Sequence, residues 1–276
     1  MIEIPESIKI ARQINETVQG KTIYRVIANA SPHKFAFYQG DPAGYHALLI
    51  GQVIGSSIGM GAMIEISAGN CQVVLGDGAN PRYYDDSSKI SAKHQLLLEF
   101  DDGSVLVCSV QMYGTVLAFM KGTYDNKYYL IAKEKPSPLS DDFDKNYFDS
   151  LYTEALGKLS AKAFLATEQR IPGLGNGVLQ DILFHAGIHP KRKMKTITEK
   201  EYTGLFRSIK DTLAEMTMLG GRDTEKDLFG KAGGYQTILS KNTVGRPCPV
   251  CGSAIQKTSY LGGAIYWCPD CQRLDE

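Results

Sequence analysis

The sequence carries no surplus of charge of either sign. It contains 30 Lys and Arg and 30 Asp and Glu among 276 residues, so its formal net charge at pH 7 is zero. Proteins that bind nucleic acids usually carry a basic surplus, so the total charge gives that class no support. A local basic patch remains possible at Lys191, Arg192, Lys193 and Lys195, although such a run is also typical of a solvated helix end.

Long apolar runs and a targeting signal are absent as well. No stretch approaches the roughly 18 consecutive apolar residues of a membrane-spanning helix. The first residues also lack the basic-then-apolar layout of a secretory signal. With 43% hydrophobic and 22% charged residues, the composition is that of an ordinary globular protein. We therefore expect a cytoplasmic protein with no membrane partner.

Hydrophobic periodicity divides the chain into a β-rich and a helical part. Residues 5–19 show a helical stripe, and residues 22–131 show short β-type segments separated by turn signals. Many short strands with close turns predict an antiparallel sandwich or barrel. Helical patterns follow a proline-containing linker at 134–142, and one of them begins with a capping box formed by Thr198 and Glu201.

A glycine-rich turn precedes one of the predicted helices. Gly173, Gly175 and Gly177 leave the backbone almost free of side chains, so another backbone can approach closely. The helix that follows would present unpaired N–H groups and the positive end of its dipole, which suit a phosphate. The same spacing is compatible with a tight turn between packed helices. The turn therefore predicts either a phosphate-binding site or a packing contact.

The six cysteines can be assigned by their spacing. Four of them form two CxxC pairs, Cys248 with Cys251 and Cys268 with Cys271. Two such pairs can hold one ion tetrahedrally, and the spacing lies in the zinc-ribbon range. Because the protein fills all four positions, we expect one structural Zn²⁺; a redox pair with stray thiols is the alternative. The two remaining cysteines are expected to be buried thiols: Cys71 and Cys108.

Three separated motifs occur in an order typical of one enzyme family. The chain opens with Met-Ile-Glu-Ile-Pro-Glu. Gly-Leu-Gly-Asn then opens a helix ending in His-Ala-Gly-Ile-His-Pro, and the cysteine hairpin ends in Cys-Pro-Asp-Cys-Gln. In this order, over essentially the whole chain, the sequence resembles the formamidopyrimidine-DNA glycosylase/endonuclease VIII family of base-excision repair enzymes.

The resemblance implies an α+β multidomain fold. Its parts are an N-terminal antiparallel β-sandwich with flanking helices, a helix–two-turn–helix domain and a C-terminal zinc-finger hairpin. The corresponding ranges are 1–133, 143–221 and 245–276, with a loop at 222–244 before the finger. In this family, DNA lies in the cleft between the domains. The expected partner is therefore damaged or bent double-stranded DNA, bound by a monomer.

The chemistry of the family depends on the N-terminus. The amine of a proline at position 2 attacks C1′ of the damaged nucleotide, and the adjacent glutamate assists opening of the sugar ring. A Schiff base then leads to strand cleavage by β-elimination. Glu3 and Glu6 match family glutamates, but position 2 is Ile2. A bulky second residue generally blocks methionine removal, so the free amine would belong to Met1. An error of about 1 Å in such a position can cost on the order of a hundredfold in rate.

Other functional positions of the family are also changed. The resemblance places Met60 where the family has a catalytic hairpin lysine, and Gly263 where it has a phosphate-binding finger arginine. The segment that fills the space left by a flipped base corresponds to residues 110–114. Tyr235 lies in the region of the family's base-covering loop, although an ordinary loop tyrosine fits this position better.

The positions that hold DNA are better matched. Lys162 and Asn176 correspond to the family's phosphate-binding lysine and asparagine, and Gly175 lies in the intact turn. Lys191 and Arg192 follow the same helix and are further candidates for DNA contacts.

Two hypotheses of different classes follow. The chain is either a glycosylase and AP lyase that uses the amine of Met1 or Ile2 with Glu3 as acid/base partner, or a catalytically inactive family member. The inactive member would bind DNA, or structured RNA, without excision. On the second hypothesis, Glu3 serves as a carboxylate at the N-terminus of the first helix, where negative charge is favourable.

Overall fold

The computed structural model describes residues 1–90 and 93–274. The helices are α1 (Ile4–Thr17), α2 (Tyr45–Leu49), α3 (Lys127–Glu134), α4 (Lys145–Ser150), α5 (Ala161–Ala166), α6 (Asn176–His185) and α7 (Glu199–Met218). The strands are β1 (Ile23–Ala28), β2 (Ala36–Phe37), β3 (Ile54–Met60), β4 (Met63–Ala68), β5 (Cys71–Tyr84), β6 (Leu96–Phe100), β7 (Val105–Met120), β8 (Gln256–Tyr260) and β9 (Gly263–Trp267).

The N-terminal β layer is one continuous sheet. Its main strands follow the order β1-β6-β7-β5-β4-β3 and pair antiparallel, while β2 pairs with β7 in parallel. The predicted antiparallel layer is thus confirmed, but β5 and β7 have 14 and 16 residues and are much longer than the predicted segments. Their register shifts between Asp77 and Ala79. Gly78 lies at this bulge, where a Cβ atom would stand 2.2 Å from the Tyr113 carbonyl oxygen.

Two helices lie in the region predicted to be β-type throughout. Helix α2 packs beside β1 and β7, and α3 follows β7. Asn126 caps α3, because its side chain accepts from the amides of Tyr128 and Tyr129. Such capping by asparagine is a local signal for a helix start. The prediction of β-type segments throughout residues 22–131 was therefore wrong at these two helices.

Helix α1 joins the two large cores. Ile10 and Ile14 pack with the sheet, whereas Ile4 packs among the helical residues of α4 to α7. The predicted helix 5–19 is confirmed to within two residues at each end. The capping box of α7 is also present, since Glu201 Oε2 accepts from Thr198 N and Thr198 Oγ1 accepts from Glu201 N.

Residues 222–244, called the strap below, connect α7 to the cysteine hairpin without a named helix or strand. Leu228 packs in the sheet core, Tyr235 in the helical core and Leu239 beside the hairpin. The predicted irregular loop therefore contributes to three cores, which argues against a mobile segment. Tyr235 lies in this loop, as expected, and its side chain is buried.

The remaining expectations concern the hairpin, the thiols and the membrane. Strands β8 and β9 form the predicted C-terminal hairpin. Cys71 and Cys108 are buried, as expected. In the parts of the chain that the structure describes, no helix combines the length and the apolar character needed to cross a membrane.

Candidate functional site

The N-terminus, the turn before α6 and the tip of the hairpin meet at one cleft of about 1110 Å³. The cleft wall contains residues from parts of the chain that are far apart in sequence, because α1 lies between the sheet and α6. The predicted site residues on this wall are Met1, Ile2, Glu3, Lys162, Gly175, Asn176 and Gly263.

The N-terminal amine forms an ion pair with Glu225 of the strap. The Met1 ammonium donates to Glu225 Oε2, and Met1 is partly exposed. The Ile2 amide donates to the Asp77 carbonyl at 2.7 Å, and the Ile2 side chain is buried in the sheet core. The nitrogen of Ile2, at the family's nucleophile position, is therefore a peptide amide that already donates a hydrogen bond. The free amine lies one residue before it.

Glu3 caps α6 across the cleft. Its two carboxylate oxygens accept from Gly177 N at 2.9 Å and Val178 N at 2.8 Å. Burial raises the pKa of Glu3, although Arg222 and the two amides oppose this effect. The prediction that Glu3 serves the N-terminus of the first helix was incomplete, because its side chain is used at the N-terminus of another helix.

Arg222 is a buried partner that the sequence did not reveal. Its guanidinium donates to Glu6 through Nε at 3.0 Å and Nη2 at 2.8 Å, and Nη1 lies 3.5 Å from Glu3 Oε2. Burial alone would raise the pKa of Glu6, but Arg222 outweighs it and lowers the pKa of that carboxyl. Arg222 also donates to the Met1 carbonyl. This cluster, called the Arg222 triad, consists of Arg222, Glu3 and Glu6.

No local pattern marks Arg222, which simply follows a pair of glycines at the end of α7. The only available signal was the presence of one arginine in a strap otherwise rich in Gly, Lys and Asp. Its role depends on tertiary contacts with residues more than 200 positions away. Sequence spacing cannot reveal such a pairing.

The glycines around the start of α6 allow close packing within the chain. A Cβ atom at Gly173 would stand 2.2 Å from the Gly61 carbonyl carbon, and one at Gly175 would stand 2.6 Å from the Glu3 carboxylate. At Gly177 it would lie 1.5 Å from Arg222 Nη1. The packing contact is therefore present, and the phosphate-binding interpretation of the turn stays a prediction. The amides of Gly177 and Val178 are occupied by Glu3, so they do not face a free phosphate site.

Lys162 and Asn176 lie side by side against the hairpin. Lys162 Nζ donates to the Tyr260 carbonyl at 2.8 Å, and Asn176 Nδ2 donates to the Ala264 carbonyl at 2.9 Å. Burial lowers the pKa of Lys162. A Cβ atom at Gly263 would lie 3.5 Å from Lys162 Nζ and 3.6 Å from Asn176 Nδ2. The structure thus brings these three predicted positions together from separate elements.

The two basic residues after α6 differ in their surroundings. Arg192 makes a bidentate ion pair with Glu201, with Nη1 and Nη2 donating at 2.5 and 2.9 Å. Lys191 Nζ lies 5.4 Å from the centre of the Tyr260 ring, next to the hairpin. Arg192 is therefore ion-paired with α7, whereas the ammonium of Lys191 lies over the Tyr260 ring of the hairpin.

The sheet contributes the remaining matched positions. Met60 is buried with Met63 and Tyr129, so this side chain serves as core. Residues 110–114 belong to β7, and within them Met112 and Tyr113 line the cleft with 67% and 39% of their surface exposed. The exposure of these two side chains was not predicted, because the resemblance matched residues 110–114 only as a segment.

The four predicted metal ligands converge. Their Sγ atoms all lie within 4.8 Å of one another, with Cys248–Cys271 at 3.8 Å and Cys251–Cys268 at 3.3 Å. A tetrahedral ion with Zn–S bonds of about 2.3 Å holds its sulfurs roughly 3.8 Å apart. The cluster therefore has the donor set and the size of a zinc-finger site.

Known proteins resemble this chain along its length. Residues 135–227 match the family model described as the formamidopyrimidine-DNA glycosylase H2TH domain. The chain is 30% identical over 282 residues to a formamidopyrimidine-DNA glycosylase of Shouchella clausii, with 99% of both chains covered. It is 28% identical to the protein of that name from Listeria innocua, covering 99% of this chain and all of the relative.

Two solved structures share the fold. The Lactococcus lactis Fpg in complex with DNA containing an abasic site has a TM-score of 0.84 at 23% identity, covering 99% of this chain and 100% of the other. The MutM (Fpg) protein from Thermus thermophilus has a TM-score of 0.80 at 24% identity, covering 98% of each chain. These similarities support the α+β arrangement of sheet, helical domain and cysteine hairpin.

Proposed function

The chain belongs to the formamidopyrimidine-DNA glycosylase family, and from this premise we propose that it binds damaged or abasic double-stranded DNA in the cleft without excising a base. The observation that carries the proposal is the convergence of Lys162, Asn176 and Gly263 in the cleft that Met1, Ile2 and Glu3 also line. Phosphate contacts of this kind hold DNA in place with little base readout. The Lactococcus lactis relative with abasic-site DNA supports the choice of ligand.

The phosphate grip uses groups that are already oriented. Lys162 Nζ and Asn176 Nδ2 point at carbonyl oxygens of the hairpin, and phosphate oxygens are acceptors of the same kind. Exchange of a neutral carbonyl for a phosphate strengthens the hydrogen bond from a lysine, because the acceptor is charged. Binding then requires Lys162 and Asn176 to exchange the carbonyls of Tyr260 and Ala264 for phosphate oxygens.

The terminal amine is poorly prepared for attack. A nucleophilic amine needs its lone pair, and the Met1 ammonium is paired with Glu225. The Arg222 triad also commits Glu3 to charge pairing and to the amides of α6. Binding is therefore the function that this geometry favours, with Met1 remaining on the chain.

Excision with AP-lyase cleavage is the second candidate. One observation favours it, namely that Met1, Ile2 and Glu3 all line the cleft that would hold DNA. Removal of Met1 would place a free amine at Ile2, beside the Asp77 carbonyl. Glu3 would then act as acid/base partner, as the family resemblance implies.

The zinc site belongs to the same proposal. Cys248, Cys251, Cys268 and Cys271 hold one structural zinc ion that keeps β8 and β9 folded. A hairpin of this length cannot bury enough surface to fold alone, so the metal supplies folding free energy. With four protein ligands, the ion has no open position for a reacting group.

Borohydride trapping separates the two candidates. The full chain is incubated with a duplex containing an abasic site, and mass spectrometry of the N-terminus identifies which amine is free. We expect no covalent complex while a gel shift shows binding. A trapped complex that disappears when the N-terminus is blocked would establish the enzyme instead.

The binding claim has its own test. Lys162→Ala and Asn176→Ala should weaken affinity for all sequences, and the loss of Lys162 should lower the salt slope by about one. Lys231→Ala and Asn242→Ala, which change exposed residues of the strap, serve as matched controls, and thermal unfolding confirms that each variant is folded. Unchanged affinity in the first pair, or a preference for structured RNA over duplex DNA, would refute the cleft assignment.

A further inference from the structure

The tip of the cysteine hairpin contains a residue with a strained backbone. Tyr260 pairs with Gly263 across the ends of β8 and β9, so the turn between these strands consists of Leu261 and Gly262. Both residues have a positive φ, 48° for Leu261 and 72° for Gly262. Two positive φ angles are typical of the type I′ hairpin turn, which favours Asn-Gly, Asp-Gly or Gly-Gly. The leucine therefore adopts a backbone conformation that is unfavourable for its side chain.

The strained leucine is also exposed at the cleft. Leu261 has 55% of its surface exposed, and it lines the cleft together with Gly262 and Gly263. A single exposed leucine is common on protein surfaces. A leucine in a left-handed conformation, at a position where asparagine would be less strained, is uncommon, and strained residues cluster at binding sites. The strain and the place in the cleft together indicate that the leucine side chain has a role in binding.

The tip offers DNA an apolar side chain and no charged one. Residues 261–264 are Leu-Gly-Gly-Ala, and among them only Leu261 has a side chain larger than a methyl group. The tip therefore has no side chain that could pair with a phosphate. The apolar part of duplex DNA is its base stack, and proteins insert leucine and similar side chains between base steps. The base stack is thus the part of DNA that suits this tip.

The hairpin is attached to α6 through bonds that DNA binding does not require to change. Gln180 of α6 is buried. Its Oε1 accepts from the Tyr266 amide at 3.1 Å, and its Nε2 donates to the Ala264 carbonyl at 3.3 Å. These two bonds keep β9 on α6 when Lys162 and Asn176 exchange their carbonyl partners for phosphates. The tip therefore keeps a firm support beside the phosphate-binding groups.

We propose that Leu261 is a wedge that inserts into the base stack of DNA held in the cleft, and that it gives the protein a preference for duplexes whose stack is interrupted. Opening the stack costs least at a damaged or unpaired nucleotide, so a wedge selects such sites. The inference rests on the proposed DNA binding. The wedge lies on the hairpin and acts in addition to residues 110–114 of β7, for which the resemblance implies a space-filling role.

The test compares duplexes that differ at one nucleotide. Fluorescence anisotropy with the full chain measures an intact duplex and the same duplex with a tetrahydrofuran abasic analogue. We expect the wild type to prefer the abasic duplex about tenfold, the factor expected for burial of part of a leucine side chain. Leu261→Asn should lose most of this preference. Its affinity for the intact duplex should stay within about twofold, because the phosphate contacts are unchanged.

A second measurement follows the base stack directly. The fluorescence of 2-aminopurine, placed next to the abasic analogue, rises when this base is unstacked. We expect the wild type to raise the fluorescence on binding, and we expect Leu261→Asn to bind without this rise. A residue that only kept the hairpin folded would change the affinity for intact DNA as well.

The variants are chosen to remain folded. Asparagine tolerates the left-handed conformation, so Leu261→Asn should be at least as stable as the wild type in urea unfolding. Leu261→Met keeps an apolar side chain of similar size and should keep the preference. Met218→Asn is the matched control, because it removes an apolar side chain that is 78% exposed at the end of α7 and does not line the cleft. This control should change neither measurement.

Each outcome decides a separate point. If Leu261→Asn keeps the preference or the rise in fluorescence, or if Leu261→Met loses both, the wedge is refuted while DNA binding stands. A change from dimer to monomer in Leu261→Asn, measured by analytical ultracentrifugation, would assign the leucine to a contact between copies and refute the wedge as well. If the wild type binds neither duplex, the proposed DNA function fails, and the wedge fails with it.

Discussion

The two walls of the cleft differ in how they use their polar groups. On the hairpin wall, Lys162 and Asn176 each make a single hydrogen bond to a backbone carbonyl. On the N-terminal wall, the Arg222 triad makes a buried network of ion pairs and charged hydrogen bonds. Single bonds to a carbonyl can be exchanged for a ligand, whereas a buried network resists exchange. The comparison supports the proposal that the hairpin wall binds DNA, and it indicates that the N-terminal wall is fixed structure.

Removal of the metal should have the largest effect, and it should act on the hairpin wall alone. We expect a chelator strong enough to strip zinc, or Cys268→Ser, to unfold residues 245–274 and to abolish measurable DNA binding. The physical reason is that structural zinc contributes on the order of 10 kcal/mol to such hairpins. Circular dichroism and a gel shift with zinc added back provide the measurement. Cys71→Ser, at a buried thiol outside the cluster, is the control for loss of a cysteine. Retention of full DNA affinity without zinc would remove the distinction between the walls.

Loss of Arg222 should act on the other wall. Arg222→Ala leaves Glu3 and Glu6 buried without their cation. Breaking a buried ion pair by removing one partner costs about 3–5 kcal/mol. Urea unfolding measures the cost. The matched control is Arg12→Ala, which breaks an exposed pair with Glu16 and should leave the urea unfolding midpoint almost unchanged. A cost below about 1 kcal/mol for Arg222→Ala would show that the triad is not a fixed structural unit.

Two buried carboxyls, Asp181 of α6 and Glu6 of the Arg222 triad, should make the stability respond to pH in opposite directions. Burial raises the pKa of Asp181 on α6 to about 6, although this carboxylate accepts from the amides of Ile238 and Leu239. The ordinary pKa of the group is 3.8, so the folded chain holds its proton longer than the unfolded chain. The free energy of unfolding therefore decreases as pH rises from about 4 through 6, and this one group accounts for a decrease of about 3 kcal/mol at most.

The Glu6 carboxyl should behave in the opposite way. Its pKa is lowered in the folded chain, so its contribution to stability is present above the unfolded pKa and is lost as pH falls through the folded pKa.

Urea unfolding of the wild type and Asp181→Asn between about pH 4.5 and 7.5 isolates the Asp181 contribution. The variant should gain stability relative to the wild type as pH rises. A constant difference across this range would contradict the assignment.

Local sequence patterns predicted the parts of this site that depend on short spacing. The two CxxC pairs, the capping box of α7 and the turn before α6 each involve residues within a few positions, and each is present in the structure. The fold also brings together Lys162, Asn176 and Gly263, which the resemblance matched to the family's phosphate-binding positions, and that role stays a prediction.

The rest depends on contacts between distant segments. Arg222 meets Glu6 across 216 positions, and the glycines before α6 accommodate Glu3 and Arg222, which no pattern in residues 171–190 encodes. The same limit explains Tyr235, whose burial follows from the path of the strap through the helical core. The basic run that begins at Lys191 also did not predict which of its side chains form ion pairs. Arg192 pairs with Glu201, whereas its neighbour Lys191 does not.

The smallest expected effect compares two glycines, one on the N-terminal wall and one away from it. A Cβ atom at Gly177 would displace the Arg222 guanidinium, whereas one at Gly204 in the middle of α7 would meet nothing within 4 Å. Gly177→Ala should therefore destabilise the fold by about 1–3 kcal/mol, in the range of an overpacked core. Gly204→Ala should stabilise it by roughly 0.5–1 kcal/mol, because alanine favours a helix interior more than glycine does. Urea unfolding of both variants measures the two signs. If Gly177→Ala were as stable as Gly204→Ala, Arg222 would have to be free to move, and the N-terminal wall would be as exchangeable as the hairpin wall.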